Sequence, residues 1–147
     1  MAKRIRHSKV SFIGIKATEK ISQFNLTAAD ITTSHSAPVV LIAAPGVNKA
    51  VFPTKALVQF KYGSVQFTGG GAGQLVYHGA TTNLLTGTIL AATVQAAANA
   101  RISLGAAAAG LALALNTGID FYAATADFAA GDSTAIVTVW YTEYELS

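Results

Sequence analysis

The stretch Ala135 to Tyr144 leaves this chain few folds to choose from. Its residues are mostly β-branched or aromatic, which suits a pleated surface. At a period of two, Ile136, Trp140 and Tyr144 point one way, while Val137, Val139 and Tyr141 point the other. The strand is apolar on both faces, whereas an antiparallel sheet ordinarily leaves one face to water. Both faces must be covered, and in a chain of 147 residues another copy of the same chain is an economical cover.

Composition points the same way. Only 12% of the residues are charged, although 52% are hydrophobic, and the usual charged share is roughly 25%. So few charges leave much surface to be covered by neutral Ser and Thr, by Ala, or by partners, and oligomerisation is the preferred explanation. The length suits one domain with a real core. With no cysteine, disulfides and thiolate metal sites are excluded. The net charge of +3 is unevenly spread: Lys3, Arg4, Arg6, Lys9 and Lys16 all precede the first acid, Glu19. Asp120, Asp127, Asp132, Glu143 and Glu145 lie towards the other end. A basic start and an acidic finish can attract each other between neighbouring subunits.

Residues 1–9 are expected to form a basic arm and residues 10–147 the folded domain. Short strands are expected at Val10 to Lys16 and Ile21 to Leu26, then a polar connector from Thr27 to Ser36. Pro38 to Ala44 is a continuous apolar run and predicts a fully buried strand. Ala50 to Tyr62 alternates after Pro53, with Lys55, Leu57, Gln59 and Lys61 on one side and Ala56, Val58, Phe60 and Tyr62 on the other. Pro53 places an edge or a bulge near its start. Val65 to Thr68 reads as a hairpin extension across Gly63-Ser64, Gly69 to Gly73 as a loop, and Gln74 to His78 as a strand. Residues 86–104 fit a short helix or loop followed by a strand. Leu111 to Leu115 and Ile119 to Ala123 flank an Asn116-Thr117-Gly118 turn, where Gly118 is expected to supply positive φ. Regularly spaced short strands predict an all-β, jelly-roll-like antiparallel sandwich.

The search for chemistry returns little. His7, His35 and His78 stand at no metal-ligand spacing, and His78 beside Tyr77 reads as structural. The glycine loop lacks the Lys-Ser/Thr of a phosphate cradle. Asp120, Asp127 and Asp132 do not follow a calcium-loop pattern, and Asp127 and Asp132 are expected to cap their own turns. No enzyme is expected, and no catalytic residue, metal, cofactor or small-molecule substrate. Leu104 to Leu115 is too short for a membrane span, which needs about 20 residues, and no secretory leader is expected. The arm could be a solvated tail or bind phosphates, but no basic stripe with interleaved aromatics supports nucleic acid. Docking onto an acidic protein surface is the preferred reading.

The C-terminal module NTGIDFYAATADFAAGDSTAIVTVWYTEY resembles the ending of small tailed-phage virion structural proteins. The likeness rests on Asn116, Gly118, Ile119, Asp120, Asp127, Phe128, Gly131, Asp132, Val139, Trp140 and Tyr141. It covers about 30 residues. The resemblance implies a virion component made in the host cytoplasm and placed on the outer capsid surface. It would be a homotrimeric decoration protein that binds the major capsid protein and resists internal pressure. The alternative is a trimeric receptor-binding or fibre tip domain. On the decoration reading, Lys3, Arg4, Arg6 and Lys9 contact the capsid. Val139 and Tyr141, taken as outward-facing, join the trimer.

Overall fold

The computed structural model describes residues 15–107 and 111–146. The arm residues Lys3, Arg4, Arg6 and Lys9 lie outside the described residues, as does most of the strand expected from Val10. The first described strand, β1 (Ile15–Leu26), runs unbroken for 12 residues, because no Gly or Pro interrupts it and β10 (Thr134–Leu146) pairs with it throughout. A one-turn helix, α1 (Ala28–Thr32), follows, closed by a capping box between Thr27 and Asp30. Then come β2 (Val39–Ile42), β3 (Lys49–Lys61), β4 (Thr68–Gly69), β5 (Gly73–Tyr77) and β6 (Ala80–Leu84). The short helix α2 (Ala91–Val94) leads into β7 (Ala100–Gly105), as the helix-then-strand expectation had it. β8 (Ile119–Ala123) and β9 (Phe128–Ala129) precede β10.

These strands form an all-β, sandwich-like fold of antiparallel sheets. One sheet has the order β1-β10-β3-β7 and the other β2-β8-β5-β6, while β4 and β9 pair separately. The pairing is nested: β1 joins β10, β2 joins β8, β3 joins β7, and β5 joins β6. Inward residues of the first sheet (Ala56, Val58, Ala135, Val137, Val139) share one core with Leu75, Ile119 and Phe121 of the second. Full burial of each larger aliphatic or aromatic side chain contributes roughly 1.5–3 kcal/mol. The Tyr77 hydroxyl donates to the Val51 carbonyl at 2.8 Å, linking the sheets, and burial pushes its phenol upward from the ordinary tyrosine range.

Several expectations are corrected here. Val139 is only 1% exposed and belongs to the core, and Tyr141 is half-buried against it, so neither is an outward apolar knob. The alternation along β10 is as expected, but its outward side carries Ile136 and Trp140. Val40 is 44% exposed, so β2 is not fully buried. Val65 to Phe67 forms no hairpin; the residues after it pair as β4 with β9. Leu111 to Leu115 forms no strand, making only an isolated bridge from Leu115 to Ala50. Positive φ falls on Asn116, not Gly118. What demands glycine at 118 is close approach, since a Cβ there would overlap the Ile42 carbonyl oxygen. Asp127 and Asp132 cap distant segments instead of their own turns: Asp127 accepts from the His35 and Ser36 N–H groups, and Asp132 from those of Ser64 and Val65.

Of the edge or bulge expected at Pro53, a bulge is present. Trp140 pairs with Lys55 and Tyr141 with Pro53, so Thr54 is the extra residue of β3. Pro53 offers no N–H to a ladder, and the Thr54 hydroxyl donates instead to the Trp140 carbonyl at 3.1 Å.

Candidate functional site

Two surfaces stand out, and both arise from how β10 is flanked. The first is an apolar end. The β2–β3 loop is drawn to the segment before β8 by Asn116, whose N–H donates to the Lys49 carbonyl at 2.7 Å and whose Oδ1 accepts from the Gly46 N–H at 3.0 Å. The Leu146 N–H donates to the Asn48 carbonyl at 2.7 Å, and Leu146 pairs with Ile15. These bonds satisfy the backbone and leave large aliphatic side chains outside. Val47 is 79% exposed, Leu115 52%, Leu113 40% and Ile15 56%. Exposed aliphatic residues on segments joined in this way are candidates for a contact surface.

The second surface is the outer face of the β1-β10-β3-β7 sheet. The strand register places Ile21 beside Trp140 and Trp140 beside Lys55. Asn25, Ile136, Gln59 and Arg101 form another row across all four strands. The Lys55 ammonium sits 4.3 Å from the Trp140 ring centroid, an attraction between the cation and the ring quadrupole. Towards the β7 side this face opens into a groove of about 680 Å³ lined by Gln59, Lys61, Asn99, Arg101, Thr134 and Ile136. Asn99 uses its Oδ1 to accept from the Tyr62 N–H, which leaves its amide nitrogen as a donor.

Towards the other end of β10, Glu143 ties three strands together. It accepts from Lys20 of β1 at 2.7 Å and from Lys49 of β3 at 3.4 Å. The Lys20 ammonium holds the Glu143 carboxyl below its ordinary range, and Glu143 in turn raises Lys20.

The structure also pairs two residues that the sequence left apart. His78 Nδ1 lies 2.7 Å from Oδ2 of Asp120, whose side chain is buried while His78 is exposed. Among the described residues, Asp120 Oδ1 has no hydrogen-bond partner. The pair orients the imidazole at the β5 terminus; 42 residues separate its members, and only the pairing of β5 with β8 reveals it. No group of three or more potential metal ligands occurs among the described residues. Nor, among them, is any helix long and apolar enough to cross a membrane.

Of the residues singled out from sequence, Val139 is core, Tyr141 is half-buried, and the four arm cations lie outside the described residues. The Lys55, Leu57, Gln59, Lys61 side of β3 does face outward, as its alternation predicted. Sequence reasoning missed the apolar end, because Val47 stands alone in a turn and Leu115 reads as a strand residue. No family model, no curated protein and no solved structure matches this chain.

Proposed function

We propose that this chain is a phage capsid decoration protein, a homotrimer that binds the major capsid protein on the outer surface of the head and cements it against internal pressure. The observation that carries this reading is the apolar end formed by Val47, Leu113, Leu115 and Ile15, a surface that identical copies would shelter. An interface of standard size, near 1,600 Å² in total, is adequate for stable assembly. The nested strand pairing supports a jelly roll, the arrangement of two sheets of four strands that recurs in capsid-associated domains. The revised trimer contact is this end of the sandwich, with Val139 inside the protomer. The arm of Lys3, Arg4, Arg6 and Lys9 would supply the contact to the shell.

A receptor-binding or fibre tip domain is the rival. Such a tip is expected to present aromatic residues in its loops, whereas the large apolar residues most exposed in loops among the described residues are the aliphatic Val47, Leu90 and Leu115. Native mass measurement of the purified chain, followed by incubation with undecorated heads and with host cells, separates the readings. A trimer that sediments with heads is expected. A monomer at high concentration, or a protein that binds cells and not heads, overturns the proposal.

A further inference from the structure

We propose that the outer face of the β1-β10-β3-β7 sheet docks onto an acidic protein surface. Its cations Lys55, Lys61 and Arg101 would meet carboxylates, while Ile21, Leu57 and Ile136 meet apolar groups. That the acidic surface belongs to the capsid rests on the decoration reading above; the chemistry of the face does not.

The argument begins with how the chain spends its charges. It has seven acidic residues, and five of them are engaged within the fold. Asp30 caps α1, Asp120 holds His78, Asp127 binds His35 and Ser36, Asp132 binds Ser64 and Val65, and Glu143 binds Lys20 and Lys49. Lys55, Lys61 and Arg101 form no ion pair among the described residues. The hydrogen-bonded carboxylates keep their charge, but none of them neutralises Lys55, Lys61 or Arg101. All three cations project from the same side of one sheet, as the alternation of β3 and the register of β7 place them. Glu19, two residues before Ile21 and opposite Thr142, is an acid on this side; none lies between Ile21 and Asn25, between Thr134 and Trp140, or on the facing parts of β3 and β7.

The occupant follows from the chemistry. A second copy applied face to face would set cations against cations, which is unfavourable. The apolar component is aliphatic: Ile21 is 65% and Ile136 38% exposed. Single-stranded nucleic acid prefers aromatic platforms for its bases, and the Trp140 ring is already covered on one side by Lys55. Carboxylates mixed with aliphatic groups, the surface of an acidic protein, complement this face best.

Trp140 is the one tryptophan of the chain and sits on this face, so its fluorescence reports occupancy. The full chain is titrated with poly-L-glutamate at low ionic strength, where charges reach about 30 Å, and in parallel with oligodeoxythymidylate. The expected result is a Trp140 emission change with poly-L-glutamate, tighter than with the oligonucleotide. It should weaken at least tenfold in the combined variant Lys55→Gln, Lys61→Gln, Arg101→Gln, which leaves the arm intact. Arg101→Glu alone, with a melting temperature equal to wild type, serves as the second variant and should also weaken binding. Silence at Trp140, equal binding by the variants, or tighter binding of the oligonucleotide overturns the proposal. Undecorated heads separate it from the decoration reading. If wild type and combined variant bind heads equally, the face is not the contact and decoration survives. If wild type ignores heads but the glutamate response persists, decoration fails and the face stands.

Discussion

The Asp132 carboxylate closes onto Ser64, accepting from its N–H at 2.7 and 2.9 Å and from its hydroxyl at 2.6 Å, so that two loops 68 residues apart become one unit. The Val65 N–H adds a further bond at 2.8 Å. Gly63 lies against the same carboxylate, where a Cβ would collide with it. Asp132→Ala leaves these N–H groups without their acceptor. The expected outcome is a melting temperature a few degrees lower by circular dichroism, with the native mass unchanged. An unaltered melting curve would show that water replaces the carboxylate at no cost.

The acid side of the stability profile follows from three carboxylates. Hydrogen bonds from Ser36 to Asp127, from Ser64 to Asp132 and from Lys20 to Glu143 hold each below its ordinary value. A folded pKa below the unfolded one gives stability that is complete above the unfolded value and lost as pH falls through the folded one. Urea midpoints should therefore decline below about pH 4. Lys20 has the opposite sign: its folded value is raised, so its share is present below the ordinary lysine value and lost as pH rises past the folded one. Glu143→Gln should flatten both limbs relative to wild type. A variant profile parallel to wild type at both extremes would rule out the Lys20–Glu143 pair as a source of the pH dependence.

Val139 tests where β10 faces. It is buried among Ala56, Val58 and Val137 in the shared core. Val139→Ala removes two methyl groups and leaves a space that neighbouring strands cannot close, costing on the order of 2 kcal/mol. The expected readout is a lower urea midpoint with an unchanged oligomeric state. Loss of the oligomer with undiminished protomer stability would instead return Val139 to an interface.

The legible parts of this fold are those where polarity alternates. Along β3, the Lys55, Leu57, Gln59, Lys61 side could be told from the Ala56, Val58, Phe60 side because one is polar and the other is not. Along β10 both sides are apolar, so alternation separated Val139 from Trp140 without telling which faces the core. Burial decides that, and burial depends on β8 and β5, which are distant in sequence. The same distance hid the His78–Asp120 pair and the reach of Asp127 to Ser36. β1 does not stand out as one strand in the sequence because its first seven residues are all exposed and lack a hydrophobic rhythm; cross-strand pairing with β10 alone keeps them extended.

Gly118 is held by contact, not by backbone angle. It sits where β8 begins and passes against the Ile42 carbonyl at the end of β2. Gly118→Ala must push these strands apart or shift the turn at Asn116. A clearly lower melting temperature is expected, with faster amide exchange at Ile119 and Ile42 than at Val137 in the other sheet. Uniform exchange across both sheets would contradict a local origin.

The apolar end supplies the most direct test of assembly. Val47 and Leu115 are largely exposed in the protomer, so charging them removes no core contact. Val47→Lys with Leu115→Lys places two ammonium groups on each copy of a surface that, in a trimer, must be dry. Burying unpaired charge in an interface is strongly unfavourable, so the native mass should fall from trimer to monomer. The far-ultraviolet spectrum should stay the same, because the Asn116 bonds that shape this end use backbone groups and the Asn116 side chain. Glutamate in place of lysine at both positions should act alike, which distinguishes desolvation from simple charge repulsion by a basic neighbour. A variant that remains trimeric with either charge would place the subunit contact elsewhere, with the exposed edge of β1 and its Ile21 as the next surface to probe.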